Sequence, residues 1–108
     1  MAEDIQTFLL KMEAQKEISE QKIKNSAKGG EEELIATGRA DQFYYLIHCV
    51  NEKQLDLDRL MELSFLCQDE MTRVRDYPGN RTQEVLLDHQ GRLAACDWMI
   101  DELASILY

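Results

Sequence analysis

One proline, five glycines and 7% aromatic residues stand in a chain of 108 residues, and each shortage excludes something. With so few breakers, little interrupts a helix. With so few aromatics, a strand-rich core is poorly supplied. No apolar run approaches the ~20 residues that a membrane-spanning helix needs. Bases are also scarce: 12 Lys and Arg face 21 Asp and Glu, for a net charge of −9. An acidic body repels phosphate backbones and anionic lipid surfaces, so neither direct nucleic-acid binding nor membrane association is expected.

Motifs are missing too. Cys49, Cys67 and Cys96 are odd in number, widely spaced and free of any C-x-x-C. A disulfide framework in a secreted chain would want an even count, so reduced, buried thiols in the cytoplasm are the expectation. The opening Met-Ala-Glu-Asp is acidic and reads as no secretory leader. Ala-Thr-Gly-Arg-Ala (36–40) and Ala-Lys-Gly-Gly-Glu (27–31) match neither a P-loop nor a dinucleotide fingerprint. Ser64 and Ser105 lack a nucleophile elbow. His89 and Cys96 lie seven residues apart, ~10 Å along a helix, too far to share one zinc. Glu31, Glu32 and Glu33 are consecutive and splay around a helix start, so they do not form a magnesium site. No catalytic residue, cofactor or metal is expected.

What remains is helical periodicity. Ile5, Phe8, Leu9 and Met12 form an apolar stripe near the start of a helix over about 3–25. Beyond Met12 the stripe fails at Lys16 and Ser19, which predicts a second half that projects into solvent. Asn25 to Gly30 then breaks the helix and reads as a flexible hinge over 26–30. A second helix opens on Glu31-Glu32-Glu33, acids suited to the positive end of the helix dipole. Ala36, Ala40, Phe43, Leu46, Ile47 and Val50 form its seam. Asp56 is the expected N-cap of a third helix. Its stripe is Leu57, Leu60, Met61, Cys67, Met71 and Val74, widened by Leu63, Phe65 and Leu66. Tyr77-Pro78-Gly79-Asn80 ends it, and Asn80 with Gln83 reads as a capping box for a fourth helix. The expected fold is all-α: a small antiparallel helical bundle in a single domain spanning 1–108. It has an N-terminal helix or arm (1–25), the hinge, and a three-helix core (31–108) running up-down-up.

The last helix, LLDHQGRLAACDWMIDELASILY (86–108), shows two apolar faces. Leu86, His89, Leu93, Cys96, Ile100, Leu103 and Leu107 alternate steps of three and four, the spacing of a buried seam. This predicts that Leu93→Asp unfolds the domain. The opposite side carries Leu87, Gly91, Ala94 and Trp98. Three other helices can hardly wrap both sides, so a second polypeptide is expected over Gly91, Ala94 and Trp98. The apolar edge at Leu107 and Tyr108 would extend that contact. Arg73, Arg75 and Arg81 bracket the Tyr77–Gly79 turn as the one basic patch, suited to a partner's carboxylate or phosphate. These eight residues are the candidate partner-binding set.

Two function classes follow. The first is a non-enzymatic protein–protein interaction module, an adaptor or scaffold that self-associates as a homo-oligomer, with the isologous dimer the simplest form. The second is a small acidic inhibitor of the phage type, a DNA mimic occupying the basic nucleic-acid groove of a host enzyme.

Overall fold

A computed structural model describes residues 4–108, and within them four helices and no strand: α1 (Ile5–Asn25), α2 (Glu31–Lys53), α3 (Leu57–Asp76) and α4 (Gln83–Leu107). Local chemistry sets the starts. Asp4 caps α1 by accepting from the Thr7 N–H at 2.8 Å, and Asp56 caps α3 by accepting from the Arg59 N–H at 2.8 Å. Each satisfies a backbone donor that the first turn leaves free. Three glutamates fill the first turn of α2, where no side-chain cap is made. The cap of α4 is Thr82, whose hydroxyl accepts from the Val85 N–H at 3.3 Å. Asn80 does not serve, because the Arg81 N–H is turned back to the Pro78 carbonyl at 3.2 Å and closes a turn there first.

Packing follows the order α1–α2–α4–α3: α1 lies on α2, α2 on α4, and α4 on α3. Only three residues link α2 to α3, yet these two are not principal partners, so the expected unit of helices 2, 3 and 4 in sequence order is not what forms. α1 instead delivers Phe8 and Met12 into the core, both fully buried. Phe43 and Leu46 of α2, Leu60 of α3, and Met99 and Leu103 of α4 complete it.

The closest approach is between α2 and α4. A methyl group at Gly38 would collide with the Asp88 carbonyl oxygen, and one at Gly91 with the Ile35 carbonyl oxygen. Each glycine is therefore a place where one backbone rests on the other. Around this point the buried rows step by four: Gly38, Gln42, Leu46 and Val50 on α2, and Leu87, Gly91, Ala95, Met99 and Leu103 on α4. Rows with this step are the ridges of helix packing that interdigitate across a contact.

The second half of α1 does not project into solvent. Arg39 of α2 donates to the Gln15 carbonyl at 3.2 Å, the Gln15 Oε1 at 2.7 Å and the Ser19 hydroxyl at 2.8 Å. Its guanidinium also lies over the Phe43 ring, 4.9 Å from the centroid. Burial lowers the Arg39 pKa. Lys16 and Ser19, which interrupt the apolar stripe, thus lie where polar bonds replace apolar contact, and Ser19 is buried.

Two outcomes are expected. Gly91→Ala destabilises the fold by about 2–3 kcal/mol, the scale of overpacking a tight contact, read as a lower urea midpoint. Arg39→Met keeps the stem and removes the guanidinium, costing about 1–3 kcal/mol. Limited proteolysis should then cut within residues 13–25 sooner than in the parent.

Candidate docking surface

The structure inverts the two faces of α4. The side carrying Leu87, Gly91 and Trp98 is covered from within the chain. Trp98 packs between Phe8 and Phe43, with ring centroids at 5.9 and 5.5 Å, and Gly91 is buried under α2. The expected second polypeptide over these two residues is replaced by α1 and α2. Small side chains drew a neighbouring helix in, as the sequence suggested, but that helix belongs to the same molecule. Ala94 is exposed and lies outside this contact.

The seam of alternating threes and fours is the less covered side. Cys96 and Leu103 are buried, but Leu86, His89, Leu93, Ile100 and Leu107 are only half-buried. Leu93 is therefore no core residue. It lines a groove of about 300 Å³ between the C-terminal part of α3 and the N-terminal part of α4, with Met71, Val74, Leu86, Pro78 and Arg75 among its walls. His89 also borders this groove, and its Nδ1 donates to the Val85 carbonyl at 2.8 Å, which holds the ring against its own helix. The walls are apolar because α3 runs beside only one face of α4. No other helix reaches the gap left at this end.

The three arginines lie near this groove in sequence and are exposed. Arg73 bonds Asp69 at 2.8 Å and Arg75 bonds Asp76 at 3.2 Å. Arg81 donates to the Pro78 carbonyl at 3.2 Å. Exposed pairs of this kind are worth little and exchange partners readily. Leu107 is half-buried against the core, while Tyr108 is 93% exposed. Phe65 and Leu66, expected to widen the buried stripe of α3, face outward instead, with Leu66 69% exposed.

A second cluster was not anticipated as a unit. Cys67 of α3 and Cys96 of α4 meet across the α3–α4 contact, with the Cys96 thiol placed to donate to the Cys67 sulfur. That bond, helped by the Gln42 amide and the Arg92 charge, brings the Cys67 thiol down to about 7 against the opposing effect of burial. Cys96 is pushed up, first by its neighbour and then by burial. Arg92 donates to Gln42 Oε1 at 3.2 Å and to Asp88 at 2.8 Å. This holds Oε1 and leaves Nε2 as the unbonded end of the Gln42 amide. Its Nε2 is buried and lies near enough to the Cys67 sulfur to act on it, but makes no close hydrogen bond among the described residues. Sequence reading missed Gln42 and Arg92. The one available signal was a glutamine on the four-step row of α2, between Gly38 and Leu46. No group of three or more His, Cys, Asp or Glu side chains among the described residues is arranged to hold a metal ion. No described helix is long and apolar enough to cross a membrane.

Comparison of the chain with family models, characterised proteins and solved structures finds no match.

Trp98 now carries a different expectation. Trp98→Ala removes a ring wedged between Phe8 and Phe43, and should lower the unfolding free energy by about 3 kcal/mol. Chemical denaturation checks this, with the molar mass in solution unchanged.

Proposed function

We propose that the chain is a non-enzymatic protein–protein interaction module of the cytoplasm, and that it self-associates through the groove between α3 and α4. The carrying observation is the groove itself: an apolar slot whose walls include Leu86, Leu93, Met71 and Val74, at the end of a helix seam that the chain covers only in part. Grooves of this kind accept the apolar face of a helix.

A second copy is the occupant that the charges favour. Arg73 with Asp69, and Arg75 with Asp76, put both signs of charge on one exposed stretch of α3. An isologous contact requires a self-complementary patch, and these pairs can exchange partners across a two-fold axis. In this reading chain neighbours run antiparallel, and residues 26–30 are the hinge that folds α1 back onto α2. Three free cysteines agree with a reducing compartment.

Light scattering behind a sizing column, at low and high salt, tests the reading. The parent should exceed 12.6 kDa at both. Leu93→Asp is not expected to unfold the domain, since Leu93 is half-exposed. It should keep its helical signal and run as the monomer, because a carboxylate then sits in the slot. A parent that is monomeric throughout overturns self-association. Association that disappears steeply with salt would instead favour the acidic surface as the recognition element, as in a nucleic-acid mimic.

A further inference from the structure

Buried amides rarely go unsatisfied, because each lost hydrogen bond in the interior costs about 1–3 kcal/mol. Gln42 is 2% exposed, and its Nε2 is the unsatisfied buried side-chain atom among the described residues. Its orientation is not free: Oε1 is held by Arg92, which leaves Nε2 as the unbonded end, and Gln42 and Cys67 line one groove. A buried donor without a close acceptor can stabilise negative charge that forms beside it. The group beside it able to acquire that charge is the Cys67 sulfur.

Two further features bear on this sulfur. Cys67, with Gln42, Arg92 and Tyr45, lines a groove of about 430 Å³ that is open to solvent, so a small molecule can reach it. Cys96 is fully buried and belongs with Cys67 to the core where α3 packs on α4. Cys49 is buried in α2 and is not part of that groove.

We infer that Cys67 is a site of oxidation by hydroperoxides and that Cys96 is its resolving thiol, so that oxidation ties α3 to α4 through a disulfide. The Cys67 thiolate attacks the terminal oxygen of a hydroperoxide. An S–O bond forms, the O–O bond breaks, and the departing alkoxide or hydroxide takes a proton as alcohol or water. Gln42 Nε2 and Arg92 hold the thiolate before the attack, as a donor and a cation do at reactive thiols. The Cys96 sulfur then attacks the sulfenic sulfur. The S–S bond forms, the S–O bond breaks, and the departing hydroxide leaves as water with the Cys96 proton. Two thiols are oxidised and one hydroperoxide is reduced, so the step needs no other reagent. Attack from Cys96 is favoured because both thiols are held in one packed core, which removes the entropy of finding a partner.

The test uses the full chain, reduced and then treated with limiting hydrogen peroxide. Mass spectrometry without reductant should show loss of two hydrogens and a peptide joining Cys67 to Cys96 within one chain, with Cys49 still alkylatable. In Cys96→Ser, the sulfenic acid at Cys67 should be trapped by a cyclic diketone. If that variant fails to fold, Cys96→Ala serves. Gln42→Met should slow oxidation at neutral pH several-fold. It should also move the midpoint for alkylation of Cys67 upward from near 7, while circular dichroism stays unchanged; a purely structural glutamine would leave that midpoint where it was. Absence of the linked peptide, oxidation of Cys49 at a comparable rate, or a link formed only between chains would each overturn the inference.

Discussion

Everything in this fold is arranged around the place where two backbones touch. Gly38 of α2 rests on the Asp88 carbonyl, and Gly91 of α4 rests on the Ile35 carbonyl. No side chain separates the helices there, so the flanking rows interlock. On α2 these are Gln42, Leu46 and Val50, and on α4 Leu87, Ala95 and Met99. The rest of the packing is consequent. α1 lies chiefly on α2, where Arg39 receives it, and its Phe8 reaches Trp98 of α4. α3 packs chiefly on α4.

An order of α1–α2–α4–α3 leaves each outer helix supported on one side. On α1 the cost is met by polar bonds to Arg39, which hold a stretch with too few apolar residues to bury itself. On α3 it is not fully met. The end of the α3–α4 contact stays open as an apolar slot, and Phe65 and Leu66 remain outward. Surfaces of this kind are covered in a monomer only when another helix reaches them, which is why association is proposed here rather than at Trp98.

The same α3–α4 contact brings Cys67 against Cys96, and the α2–α4 contact brings Gln42 and Arg92 beside them. Three helices thus meet at one sulfur. Each member alone is unremarkable: a buried cysteine behaves as a small apolar residue, and a glutamine in a helix is commonplace. Their chemistry arises because an amide donor without an acceptor and a second thiol share one neighbour in a setting of low dielectric.

Sequence alone determined the four helices and most of their ends, though not the last turn of α2, together with the cap at Asp56, the acidic first turn of α2, the seam from Ala36 to Val50, and the stripe of Phe8 and Met12. Those features depend on spacing of 3.6 residues per turn and on local backbone bonds, and both are written in short stretches of chain. Which face of α4 is buried was decided only by tertiary structure. Its two faces, Leu86-Leu93-Ile100 and Leu87-Gly91-Trp98, are both apolar, and periodicity reports the presence of a stripe without naming what covers it. Coverage was settled where Gly38 meets Asp88 and Gly91 meets Ile35, contacts between residues 50 and 56 apart in the chain. The Cys67–Cys96–Gln42 cluster was decided the same way, because the register between three helices is a property of their packing and of no single segment.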